Sequence, residues 1–507
     1  MRVLLLSMPD SFEHMAPVAI RMPNGALASL AGNIDPHHEV AIADLVLVQG
    51  RVAPTIERLI RERQPDVVGL SVMTFQRATA SAVAALIRRL TPRAHIVAGG
   101  YDPSLAPDAY HATAVDTLVR GEGEHTFRAL LRALEQGGDL ETIGGLSHRR
   151  EATLVHNPDR PVARLAAEPL ALPDRRARVL EGYTLLGRPV DVVETSRGCT
   201  FDCSFCSIIE MRGRNFHPYP IDRVLDDIAD ARRHGARAIF LVDDNITLDV
   251  KRFERLCEAI IARGLHDADY VVQAMTSPLA EHGARLAPLM RRAGFRYVFL
   301  GIENVLAEDL AFLKAAAKNA QRAQGRTVGN ASIAAIEHLH RNGLFVVGGL
   351  IVGNPDDTRD SIEANLAFAR RYIDWPYIQH PTPYPRTPMT EEFRRRSLIV
   401  EEDVSRYDGT TAVVRTEHVP ADDVEFLRWR AERWMKVRHL PAALGHSPRF
   451  VLRHGLAMLR HTFAGTTWRS LVGLEDERRT FERFRAIRQQ EREAICRLDL
   501  AALGLPR

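Results

Sequence analysis

Short, nearly continuous apolar runs alternate with helical patterns over the first 135 residues. Val3–Met8, Val40–Leu45, Val67–Met73, Ile96–Ala98 and Thr117–Val119 are aliphatic without the alternation of a half-exposed strand, as expected for strands covered on both faces. Helical periodicity fills the gaps, as at Pro54–Glu62 and Ala78–Leu90. Such β/α alternation predicts a doubly wound parallel sheet of flavodoxin-like type, with its ligand edge at the C-terminal ends of the strands. Residues 136–188 lose the periodicity and gain Gly-Gly pairs and prolines, the pattern of a linker with a small hairpin. Alternation then returns. Val192–Thr195, Ala238–Val242, Val271–Ala274, Tyr297–Ile302, Phe345–Val352 and Tyr377–His380 read as strands separated by amphipathic helices. They predict a partial (β/α)6 barrel over 189–395, whose post-strand loops build a site. Beyond residue 396 the strand signal fades into three Arg-rich amphipathic stretches, Val424–Val437, Phe450–Phe463 and Arg478–Leu498. The fold class is therefore α/β, in four parts: 1–135, the linker 136–188, the barrel 189–395 and a helical region 396–507.

Composition narrows the class. With 46% hydrophobic and 26% charged residues the chain has the proportions of a globular protein, not a disordered one. The longest apolar runs, such as Leu344–Gly353, fall well short of the ~18 residues a spanning helix needs. The N-terminus lacks the plan of a signal peptide, so a cytoplasmic location is expected. Basic residues number 67 against 64 acidic ones and are spread along the whole chain. No single element concentrates them, which argues against a nucleic-acid partner. The C-terminal helices carry Arg beside Trp429, Trp434 and Trp468. Two expectations follow for them: a helical cap closing the barrel, or weak peripheral contact with a membrane that brings a lipid substrate to the cavity.

Five cysteines in 507 residues do not make a disulfide scaffold. Three of them, Cys199, Cys203 and Cys206, fall in Glu194-Thr-Ser-Arg-Gly-Cys-Thr-Phe-Asp-Cys-Ser-Phe-Cys206, directly after the first barrel strand. Three thiolates on one loop can hold three irons of a four-iron cluster and leave the fourth open, the mark of a reactive site. A structural zinc needs four ligands, and no fourth cysteine lies nearby. Cys257 and Cys496 sit within helical patterns and read as buried small residues.

The C-x3-C-x2-C spacing with Phe205 before the last cysteine resembles the signature of the radical S-adenosylmethionine (SAM) superfamily. That resemblance implies a [4Fe-4S] cluster on Cys199, Cys203 and Cys206, and SAM bound at the open iron and cleaved to a 5′-deoxyadenosyl radical. It implies SAM contacts at Phe205, at Asp243, Asp244 and Asn245 after the second barrel strand, at Glu303 after the fourth, and at Ile351 and Gly353 in Gly349-Leu-Ile-Val-Gly-Asn-Pro-Asp356. In that last motif Asp356 replaces the usual Glu. The N-terminal domain lacks a G-x-G-x-x-G after its first strand, which argues against a dinucleotide site. Its Ser71-Val-Met73-Thr74, Gly99-Gly100-Tyr101 and Gly121-Glu122-Gly123 instead resemble the strand-end elements of cobalamin domains fused to radical SAM barrels. The D-x-H-x-x-G element is absent, so no protein histidine is expected beneath the cobalt; His14 is the one exception considered. Thr382-Pro-Tyr-Pro385-Arg386-Thr resembles a further element of the same group, with Arg386 where Gly is usual.

The whole pattern resembles cobalamin-dependent (class B) radical SAM enzymes. This implies a methyltransferase acting on an unactivated carbon of a lipid or secondary metabolite, served by a flavodoxin or ferredoxin-type reductant. The alternatives are a cobalamin-using cyclase of tetrapyrrole type without methyl transfer, and, in another class, an iron–sulfur electron carrier or sensor. No catalytic residue beyond the cofactor ligands is assigned from the sequence.

Overall fold

The computed structural model describes residues 1–11, 16, 18–151, 153–162, 164–165, 167–323 and 326–495. Val3 and Leu5 pack into one core while Leu4 and Leu6 pack into another on the opposite face of the same strand. A strand buried on both sides needs no polar face, which is why the run is unbroken. Strands Glu39–Asp44, Arg2–Ser7, Val67–Ser71, His95–Gly99 and Thr117–Val119 lie side by side in that order, all parallel. This is the flavodoxin-like sheet expected.

The segment expected as a linker is more integrated than its composition suggests. Its hairpin, Leu146–Arg150 with Thr153–His156, adds two antiparallel strands to the far edge of this sheet.

The second sheet contains six parallel strands: Arg188–Val193, Ala238–Leu241, Asp269–Met275, Phe295–Glu303, Phe345–Ile351 and Trp375–Gln379. Helices Ile221–Arg233, Val250–Ala262, Thr276–Arg292, Ser332–Arg341 and Arg359–Tyr372 contribute apolar residues to one core with these strands. Helix Thr276–Arg292 starts directly after strand Asp269–Met275. Pro278 lies in its first turn, where a missing N–H removes no helix bond. The short strand Thr184–Leu185 pairs antiparallel with Arg188–Val193 and, on its other side, with Ile20–Arg21 of the N-terminal domain. The two domains are thus joined through one hydrogen-bonded sheet. The C-terminal region folds as helices Ala421–Arg438, Leu440–His446, Pro448–Thr462, Trp468–Leu471 and Glu477–Ile495. Among the described residues no helix is long and apolar enough to cross a membrane.

Candidate active site

The cysteine loop leaves the first barrel strand and is fastened by carboxylates from the end of the second. Asp243 is buried and accepts from the Thr195 N–H (2.6 Å), the Thr195 Oγ1 hydroxyl (2.6 Å) and the Ser196 hydroxyl (2.5 Å). Burial pushes its carboxyl up to about 6, against the pull of those donors. The Gly198 N–H donates to Asp244 Oδ2 at 2.7 Å. Gly198 has φ +89°, and a Cβ there would lie 2.2 Å from Asn215 Oδ1, so only glycine fits this turn. On the far side Ser204 donates from its N–H to the Leu313 carbonyl and from its hydroxyl to the Phe312 carbonyl.

Held in this way, Cys199, Cys203 and Cys206 line one cavity of about 110 Å³ with Phe205, Asp244, Asn245, Gln273, Phe299, Glu303 and Lys318. Asn245 Nδ2 donates to Cys199 Sγ at 3.8 Å, a contact of the kind that tunes cluster potentials. Burial pushes the Cys203 thiol up to about 11 and the Cys206 thiol up to about 12. Thiols so buried become thiolates when a metal supplies the compensating charge. Three sulfur donors with no fourth in the cavity lining suit a cluster with one open corner.

Glu303 sits at a register shift in its strand and has φ +60°, a strained conformation for a non-glycine residue. The bulge accompanies a 2.5 Å ion pair between its carboxylate and Lys318. Burial opposes the Lys318 charge, yet Glu303 and the nearby thiols raise its pKa.

A second, larger cavity of about 560 Å³ lies between the two domains and the C-terminal helices. Ser7, Met8, Ser71 and Met73 approach it from the N-terminal sheet edge, Phe240, Val271, Tyr297, Val347, Trp375 and Tyr377 from the barrel. Phe450, Val451, Met458 and Leu459 come from helix Pro448–Thr462. Gln273 and Phe299 line both this cavity and the cysteine cavity, so the two share a wall.

Residues 15–131 match the B12 binding domain family and residues 193–369 match the radical SAM superfamily. The chain thus pairs a B12 binding domain with a radical SAM domain. It is 28% identical to an uncharacterized methyltransferase of Pyrococcus horikoshii, over 85% of this chain and 91% of that one. It is 26% identical to the anaerobic magnesium-protoporphyrin IX monomethyl ester cyclase of Rubrivivax gelatinosus, over 82% and 74% of the two chains. The hopanoid C-3 methylase of Methylococcus capsulatus is 28% identical over 54% of this chain and 49% of its own. The fold resembles that of the radical SAM methyltransferase TsrM of Kitasatospora setae, solved with cobalamin and a [4Fe-4S] cluster, at a TM-score of 0.65. The likeness covers 78% of each chain at 21% identity.

On this cobalamin-dependent radical SAM frame the expected residues separate into groups. Phe205, Asp244, Asn245 and Glu303 are on the cysteine cavity. Asp243 is not in that lining; its hydrogen bonds to Thr195 and Ser196 fasten the loop from beneath. Ile351 packs with Phe393 and Leu398, and a Cβ on Gly353 would meet Val424, so both lie behind the cavity wall. Asp356 is exposed and pairs with Arg396; its neighbour Asp357 is buried and accepts from the Gly353 and Asn354 N–H groups at 2.8 Å.

Among the expected cobalamin positions, Ser71 and Met73 line the large cavity, and the Ser71 hydroxyl accepts from Asn24 Nδ2 at 3.0 Å. Thr74 is buried beneath that edge. Gly100 has φ +105°, and a Cβ there would lie 2.8 Å from the Val72 carbonyl oxygen. Gly99 precedes it, the Gly100 carbonyl accepts from the Ser104 hydroxyl, and that hydroxyl accepts from the Gly121 N–H. Tyr101 opens the helix that packs on Ser207–Arg212 of the cysteine loop, and burial raises its hydroxyl. Gly123 begins helix Gly123–Gln136. Glu122 turns towards Arg197 and Arg212 of the barrel, at 3.6 and 3.8 Å. His14 lies outside the described residues, as does Cys496; Cys257 is buried in the barrel core.

Several residues escaped the sequence reading. Arg197 reaches from the cysteine loop to Glu124 of the N-terminal domain at 2.7 Å and to Glu194 at 2.7 Å. Burial alone would raise the Glu124 carboxyl, but Arg197 outweighs it and holds the group down at about 2. Lys318 follows no motif spacing. Rarity was its available signal: it is one of only four lysines in an Arg-dominated chain.

Proposed function

We propose that this protein is a cobalamin-dependent radical SAM C-methyltransferase whose substrate is a hydrophobic small molecule, a lipid or an apolar secondary metabolite. The observation that carries this reading is the shared wall at Gln273 and Phe299. It puts the cysteine cavity, the cobalamin-type sheet edge and one large, mostly apolar chamber in contact. A methyl donor and a radical source must meet the same substrate carbon, and this arrangement supplies that meeting place.

When bound, the cluster with SAM supplies a hydrogen-abstracting radical, and cobalamin supplies the methyl group. The chain's own residues do the remainder. Cys199, Cys203 and Cys206 would hold the cluster, and Asp244, Asn245, Glu303 and Phe205 line the same cavity, where they would meet SAM. Carboxylates there suit the ammonium group of SAM, and Lys318 and Arg212 pair with them, Lys318 with Glu303 and Arg212 with Asp244. Ser71, Met73, Gly99 and Gly100 form the small-residue edge for cobalamin, with Thr74, Tyr101, Gly121 and Gly123 shaping it from behind. Tyr297, Phe299, Trp375 and Tyr377 give the chamber apolar walls that exclude water from a reactive radical. The electron donor this reading calls for is a flavodoxin or ferredoxin-type partner, and the compartment it calls for is the cytoplasm.

The test is turnover of a candidate substrate with SAM labelled in its methyl group. A product heavier by one labelled methyl in place of hydrogen supports the reading. A cyclised product that gains no carbon, the outcome suggested by the cyclase relatives, refutes it.

A further inference from the structure

Helix Pro448–Thr462 has two apolar faces. Phe450, Val451, Met458 and Leu459 look into the large cavity. At about 100° per residue, Leu452 and Leu456 lie about 100–160° around the helix from Phe450, Val451 and Met458, with Leu459 at the border between the two faces, and they are 82% and 64% exposed. Arg449, Arg453 and Arg460 share that outward side, are exposed, and form no ion pair among the described residues. The next turns continue the pattern. Trp468, Leu471, Val472 and Leu474 are each at least 60% exposed, around an exposed Arg469.

The charge of this region departs from that of the chain. From Arg433 to Leu474 there is no Asp or Glu, while seven residues are Lys or Arg. At the chain's average of 64 acidic residues in 507, a stretch of this length carries about five. Large exposed apolar side chains among unpaired arginines mark a surface that is covered in use.

We propose that this acid-free surface, centred on Leu452 and Leu456, docks on an anionic lipid bilayer, with helix Pro448–Thr462 lying in the interface as the wall between membrane and chamber. Leucine and tryptophan enter the acyl boundary while arginine stems lie along it and their guanidinium heads meet lipid phosphates. Two copies of this chain are a poorer fit. A two-fold contact would set an arginine-rich patch with no acid against itself. The docking rests on surface chemistry alone. The benefit, direct entry of a membrane-dissolved substrate through one helix, rests on the methyltransferase reading.

The test is cosedimentation of the full-length, cofactor-loaded protein with phosphatidylcholine vesicles, with and without phosphatidylglycerol. The expected result is binding to the anionic vesicles that weakens in high salt and is absent from the neutral ones. Leu452→Glu with Leu456→Glu, and separately Arg449→Gln with Arg453→Gln, are expected to lower the partition coefficient by about tenfold or more. Both pairs point away from the chamber, so SAM cleavage measured without lipid stays at the level of the parent protein and reports that each variant folds. The proposal is overturned if neither vesicle binds, or if binding ignores both variants. It is likewise overturned if Leu452→Glu instead dissolves a concentration-dependent dimer. Vesicle binding is scored without turnover, so its failure leaves the methyltransferase reading intact, and the reverse also holds.

Discussion

Replacing Glu124 by Gln tests how the two cofactor domains are held face to face. Glu124 and Arg197 are 7% and 5% exposed, belong to different domains, and meet at 2.7 Å. The Ser29 hydroxyl also donates to Glu124 at 2.6 Å. Each tenfold change in proton affinity is worth ~1.4 kcal/mol. Holding the carboxyl at about 2 rather than 4.5 therefore stabilises the folded state by about 3 kcal/mol. Breaking a buried ion pair by removing one partner typically costs ~3–5 kcal/mol, a change of the same order. The sign follows from a lowered folded-state pKa. The stabilisation is complete above pH 4.5 and is lost as pH falls towards 2. Urea unfolding of parent and Glu124→Gln protein between neutral pH and pH 3 measures both effects. The variant is expected to be about 3 kcal/mol less stable at pH 7, with the gap closing as the parent's carboxyl titrates. A gap under ~1 kcal/mol at pH 7, or one that does not change with pH, refutes the role assigned to the pair.

Alanine at Cys199, Cys203 or Cys206 is expected to abolish 5′-deoxyadenosine formation from SAM, measured anaerobically by chromatography. Cys257→Ala leaves cleavage largely intact and costs ~1–2 kcal/mol of stability, and Cys496→Ala also leaves cleavage intact. Gly100→Ala forces a Cβ against the Val72 carbonyl at φ +105°. It is expected to cost ~1–3 kcal/mol and to reduce cobalamin retained after gel filtration, while SAM cleavage persists. Glu303→Gln leaves buried Lys318 without its carboxylate. The KM for SAM in cleavage assays is expected to rise by about tenfold, equivalent to ~1.4 kcal/mol of lost contact; unchanged kinetics would count against its place at the SAM corner.

What could be read from the chain depended on how strongly burial imposes a pattern. Val3–Ser7 and Phe345–Ile351 announced themselves because strands covered on both faces must be apolar throughout. Ile20–Arg21 did not, since two residues at the junction of the domains carry no period, yet their pairing with Thr184–Leu185 adds a strand of the N-terminal domain to the edge of the barrel sheet. Helix Gly25–Gly32 also passed unseen; glycines at both ends and small residues between them give little amphipathic signal. The cysteine loop was legible because metal chemistry fixes residue type and spacing together. The bonds of Asp243 to the loop were not legible, because an acidic residue at a strand end looks the same whether it meets a ligand or fastens the loop beneath it. Arg197, Arg212 and Lys318 act through contacts across 15 to 90 residues of sequence, to Glu303, Asp244, Glu122 and Glu124. Such partners are set by tertiary packing, and local spacing does not encode them.

The chemistry proposed for this protein requires one chain to hold two different cofactors around one chamber. The measurement that addresses this directly is metal and corrin analysis of the protein after anaerobic reconstitution with iron, sulfide and cobalamin, followed by gel filtration. The expected result is about four iron atoms and one tightly held cobalamin per chain, with the iron lost in Cys203→Ala and the cobalamin lost in Gly100→Ala. Protein that keeps the iron but releases all cobalamin, or whose metal is a single zinc, contradicts it.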